Sequence, residues 1–174
     1  MAERSDWIIP DELAARIGRF VAAWSGIELT LEAIIWALTG VRPAIGRLFT
    51  APLQVRPKYE LINGLIPFHN LANELVPLWD EARPAIKTLQ EARNAVAHHA
   101  WIDSGIFGLM AVTTRGASKK APRLPLSAPS ELAADWKGIS DQMLDDWLAL
   151  ALATRHNLAA IYSLLSPSSP DTLS

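Results

Sequence analysis

The stretch from Leu13 to Leu38, LAARIGRFVAAWSGIELTLEAIIWAL, decides the fold. Large apolar side chains recur at Leu13, Ile17, Phe20, Trp24, Ile27, Leu31, Ile34 and Leu38, in steps that alternate between four and three. That spacing draws a single stripe along one helix. Its mean step of about 3.5 residues suits packing against a second long helix that runs nearly parallel or antiparallel to it. Pro10 suits the start of such a helix and Gly40 its end.

Working outward from this helix, Val41 to Pro52 contains Gly46 and two prolines and reads as a connector with one helical turn. Pro57 opens a shorter helix, Lys58 to Ile66, which Pro67 closes. The next helical stretch runs from about Asn73 to His99, with a stripe of Leu75, Leu78, Ala82, Ile86, Leu89, Arg93 and Val96. Pro84 removes a backbone hydrogen bond from a helix interior, which predicts a kink or a junction of two helices near Arg83. The pattern changes after Trp101. Asp103-Ser104-Gly105 is a turn signal, Ile106 to Thr114 reads as a strand, and Trp101-Ile102 can pair with it. Arg115 to Pro129 reads as a loop with a short extended piece at Leu124 to Leu126. A closing helix from Ser130 to Leu165 carries the stripe Leu132, Trp136, Ile139, Met143, Trp147, Leu150, Thr154, Leu158, Ile161 and Leu165, with Ser130 as its cap. These elements predict an all-α bundle of four to five helices. A small β-hairpin is inserted between the helix that ends at His98–His99 and the last helix. One domain is expected over residues 1–165, with a flexible Ser/Pro-rich tail over 166–174.

Composition narrows the function classes. Half of the 174 residues are apolar and a fifth are charged, which favours a packed core over disorder. A net charge of −2 gives no whole-protein field for nucleic acid, so binding of that kind needs a local patch. Cysteine is absent, which excludes disulfides and thiolate chemistry and fits a reducing compartment. Met1 to Trp7 holds Glu3, Arg4 and Asp6 and does not read as a secretion signal. The uninterrupted apolar runs, Ala33 to Leu38 and Trp147 to Ala153, fall short of the roughly 20 residues that a membrane span needs. A cytoplasmic protein with no membrane partner is expected.

One segment carries candidate chemistry: Arg93-Asn94-Ala95-Val96-Ala97-His98. Arg93 interrupts an apolar stripe, and a buried unpaired charge costs several kcal/mol. An acidic residue, an anion or a second subunit is expected to face it. Asn94 and His98 lie about 40° apart around the helix axis, and Arg93 and His98 about 140°. Two copies about a two-fold axis would bring the arginines and histidines together more easily than one chain can. An imidazole can move a 2′-hydroxyl proton near neutral pH, and a guanidinium can hold a phosphate and its developing charge. The alternative reading pairs Arg93 with Glu28, Glu32 or Glu60 and leaves Asn94 and His98 to cap the helix end.

Arg93-Asn94-x-x-x-His98 near the end of a long helix resembles the Arg-polar-(x)n-His signature of the HEPN superfamily. The order of a long helix, a shorter one, a motif helix and a closing helix also resembles the HEPN four-helix core, with the hairpin and the loop after it as an insertion. The resemblance implies a homodimer and a metal-independent endoribonuclease of a bacterial or phage defence or toxin–antitoxin system. It makes RNA the substrate and an antitoxin protein a further partner. By residue, it makes Arg93 the phosphate-binding charge, Asn94 a supporting polar group, and His98 the general acid/base, with His99 as a spare. It equally covers catalytically inactive HEPN-like modules that bind or assemble.

Other features are weaker. Ser104 to Ser130 lacks acidic residues and carries Arg115, Lys119, Lys120 and Arg123, which suits either a solvated loop or an RNA backbone contact. Trp101 can wall the site or anchor the hairpin, and the second is favoured. Trp7 and Trp79 fall on no clear stripe. His69, His98, His99 and His156 show no metal-ligand spacing, and no P-loop, dinucleotide motif or nucleophile elbow is present. No metal and no cofactor are expected.

Overall fold

The computed structural model describes residues 10–103, 109–113 and 139–166. Its architecture is an all-α bundle. Helix α1 spans Asp11–Thr39. Asp11 and Glu12 in its first turn favour the positive end of the helix dipole. Gly40 ends it in the left-handed conformation at φ 66°, with Gly40 N–H bonded to the Ala37 carbonyl and Val41 N–H to that of Trp36. This is a Schellman end, which a residue with a Cβ adopts only under strain. The expected stripe is the buried one: Leu13, Phe20, Trp24, Ile27, Leu31 and Ile34 are buried, with Ile17 and Leu38 packed at its edge.

The partner of that stripe is the closing helix, α5, Asp141–Leu165. Arg16 of α1 pairs with Asp145, the Phe20 and Trp147 rings lie 5.9 Å apart, and the Arg155 side chain crosses Gly26. Residue numbers rise together across these contacts, so α1 and α5 run parallel. Ser140, not Ser130, caps α5: its hydroxyl accepts from Met143 N–H at 3.2 Å, and its extended backbone ends any helix that precedes it. After this cap Leu144 is buried and Met143 is 38% exposed, which shifts the first turn of the expected stripe by one residue. The expected helical residues 130–138, the loop of 115–129, the N-terminal residues 1–9 and most of the tail lie outside the described residues.

Helix α2 spans Pro43–Thr50, longer than the single turn expected, with Pro43 in its first turn. Helix α3 covers Val55–Leu65, and a 3-10 turn, Ile66–Phe68, takes in Pro67. Pro57 falls in the first turn of α3, where its missing N–H costs nothing. Helix α4 spans Ala72–His98 without interruption, so Pro84 neither splits it nor ends it near Arg83. Pro84 and Asp80, whose carbonyl loses its partner, both lie on the exposed side, where water can satisfy that carbonyl. The buried stripe of α4 is Leu75, Trp79, Ala82, Ile86, Leu89, Ala92 and Val96. Helix α5 packs between α1 and α4, and α3 lies on α1. After α4 the backbone of β1, His99–Asp103, pairs antiparallel with β2, Leu109–Thr113, with Trp101 opposite Ala111.

By length and composition alone, α1 and α5 are apolar enough to cross a bilayer. The uninterrupted runs missed this because isolated charges break them. A core helix of a soluble protein passes the same test, and both helices contribute to one shared core here.

A polar network is sealed inside. Lys58 Nζ lies 2.5 Å from Glu32 Oε1, and both side chains are at least nine-tenths buried. The Thr50 hydroxyl donates to Glu32 Oε2 at 3.1 Å and accepts from Trp36 Nε1 at 3.1 Å. Gly46 lies against the Trp36 ring so closely that a Cβ there would overlap it. The network therefore joins α1, α2 and α3. Lys58→Met is expected to destabilise the protein by about 3–5 kcal/mol, because it strands the buried Glu32 carboxylate. Adding Glu32→Leu should recover most of the loss. Urea denaturation of the two variants tests this, and a neutral Lys58→Met would show that the carboxylate finds solvent.

Candidate active site

The motif occupies the last two turns of α4. The buried seam passes through Leu89, Ala92 and Val96, so Arg93 stands beside the seam and not in it, and is half-buried. The difference arises because the step from Leu89 is three residues before it is four. Arg93 Nη1 donates to Asn94 Oδ1 at 3.4 Å, a long bond between neighbours about 100° apart on the helix. Asn94 is also half-buried.

Among the described residues no carboxylate comes within ion-pair distance of Arg93. The three mates that sequence allowed are engaged elsewhere. Glu28 accepts from Trp24 Nε1 at 3.1 Å. Glu32 holds Lys58 and Thr50. Glu60 pairs with Arg56 at 2.9 Å. A half-buried guanidinium whose one described partner is a long amide bond keeps most of its five donors for an anion.

His98 is the last residue of α4, one helical step of four after Asn94, so the backbone puts these two positions on one face. His99 is the first residue of β1, and Trp101 lies two residues farther along that strand. The structure thus places Arg93 and Asn94 together and brings the chain of His98 to the end of the same helix. Arg115, Lys119, Lys120 and Arg123 lie outside the described residues. Among the described residues no three His, Asp or Glu side chains gather as metal ligands.

Sequence periodicity missed two features. Trp79 is buried to 2% exposure, with an indole N–H that meets no acceptor among the described residues. Arg42 and Arg47 sit on or beside α2 with no acidic residue anywhere between Glu32 and Glu60. That gap is as long as the acid-free run from Ser104 to Ser130 and is legible in the sequence.

Because Arg93 has no ion pair among the described residues, Arg93→Ala is expected to change unfolding free energy by less than about 1 kcal/mol. Chemical denaturation measures this, and a loss of several kcal/mol would mean that a hidden carboxylate holds Arg93. In comparisons with known proteins, no family model, no curated protein and no solved structure matches the chain.

Proposed function

We propose that the chain is a metal-independent endoribonuclease of HEPN type that works as a homodimer in the cytoplasm, within a defence or toxin–antitoxin system. The observation that carries this reading is the half-buried Arg93 at the end of α4, free of any carboxylate among the described residues while Glu28, Glu32 and Glu60 are all engaged. The succession of a long α1, a shorter α3, the motif helix α4 and the closing α5 supports a HEPN-like bundle, with the β1–β2 pair inserted after the motif.

In this reading Arg93 holds the scissile phosphate and stabilises the charge that builds on its oxygens. Asn94 orients the guanidinium through its Oδ1 acceptor. The His98 imidazole removes the proton from the 2′-hydroxyl. The 2′-oxygen then attacks phosphorus, the bond from phosphorus to the 5′-oxygen breaks, and the departing oxygen is protonated, which leaves a 2′,3′-cyclic phosphate and a 5′-hydroxyl. Arg93 and His98 stand about 140° apart on one helix, so two copies meeting across a shared cleft supply the convergence that one copy lacks.

The test is cleavage of mixed cellular RNA by the purified protein in the presence of EDTA. Cleavage is expected, with a fall of about a hundredfold or more in Arg93→Ala and in His98→Ala, while circular dichroism and melting stay unchanged. An uncut RNA pool, with self-association or partner binding lost in the same variants, would replace this reading with an inactive module that binds or assembles.

A further inference from the structure

The polar network that seals α2 to α1 has an outward consequence. Gly46 and Thr50 face inward, one against the Trp36 ring and the other bonded to Glu32. This fixes the rotation of α2, and its three largest apolar side chains then face away from the core. Leu48 is 73% exposed, Phe49 69% and Ile45 43%. Their spacing of three and four residues places them on one side of the helix. Arg42 precedes the helix and Arg47 lies about 100° around it from Leu48, both exposed and without a carboxylate partner among the described residues. Between Glu32 and Glu60 no acidic residue occurs, and those two carboxylates are held by Lys58 and Arg56.

We infer that α2 is a docking element for a bilayer surface that carries anionic lipid. An exposed apolar ridge with one arginine at its start and another a step around the helix suits a helix that lies in the interface plane, with its hydrocarbon below the headgroups and the long arginine stems carrying their cations to the phosphates. Other occupants fit less well. A two-fold contact between copies through this ridge would set arginine against arginine. Stacked bases would use Phe49 but leave Leu48 and Ile45 without a role. A partner helix needs a groove to lie in, and Leu48 and Phe49 instead project. The sequence expectation of no membrane partner rested on spans; a helix that lies on the surface needs none. The inference is independent of the ribonuclease reading.

The experiment is co-sedimentation of the full chain with phosphatidylcholine vesicles, with and without about 30% phosphatidylglycerol, at low and high salt. Binding is expected to the anionic vesicles, at least tenfold weaker to pure phosphatidylcholine and weaker in high salt. Leu48→Ser with Phe49→Ser, which keeps every charge, should reduce binding about tenfold or more, as should Arg42→Gln with Arg47→Gln. All four positions are exposed, so melting should not change. No binding to anionic vesicles overturns the proposal. So does binding that the serine pair leaves intact, and so does a change of oligomeric state in that pair without a change in vesicle binding.

Discussion

The buried pair of Glu32 and Lys58 constrains more of this structure than any other contact. Neither charge can be left alone in a core, since each carries a desolvation cost of several kcal/mol that only a close counter-charge and further hydrogen bonds offset. Lys58 therefore fixes α3 on the face of α1 that carries Glu32. The second carboxylate oxygen draws in Thr50, and the Thr50 hydroxyl in turn accepts from Trp36, so α2 is held in one rotation. Close approach of Gly46 to the indole completes the seal. Apolar packing alone would let α2 turn; this set of directional bonds does not.

The same pair removes one of the possible mates of Arg93. Glu32 was one of three carboxylates that could have neutralised Arg93, and its capture by Lys58 removes it. Glu60 goes to Arg56 and Glu28 to the Trp24 indole. The structural alternative paired Arg93 with one of these three acids, and each has another partner among the described residues. What is left is a cation at the half-buried end of a helix, beside an amide, in the chain segment that closes on His98. The guanidinium is less deeply placed than the sequence implied, which lowers the cost of leaving it without a mate and keeps it within reach of a ligand.

Long amphipathic elements were legible in the sequence because burial along them is set by one angle. The α1 stripe was read residue by residue, and Pro10 and Gly40 marked its ends. The expected α4 stripe is one residue off at two places, Leu78 for Trp79 and Arg93 for Ala92, because a stride of seven residues can be split as three and four or as four and three, and periodicity alone does not choose. In α5 the cap decided the phase, and Ser130 and Ser140 are equally good caps by residue type. Helix α2 was read as a connector since its large apolar residues face outward, the reverse of the rule that periodicity relies on. As for the site, the Arg-Asn-His spacing was visible at once. That Glu28, Glu32 and Glu60 each have another partner was not, because it depends on how elements distant in sequence pack.

That last point bears on the use of net charge. A total of −2 suggests a surface with nothing to offer an anion. Several carboxylates, however, are taken up by neighbouring cations. Glu12 and Asp145 flank Arg16, Glu32 holds Lys58, Glu60 holds Arg56, and Asp80 lies 3.6 Å from Arg83. Each such pair is nearly neutral from a few ångströms away, and what a ligand senses at short range is the remainder. At α2 the remainder is Arg42 and Arg47; at the end of α4 it is Arg93. Local charge at these two places is therefore set by local pairing and is not predictable from the sum.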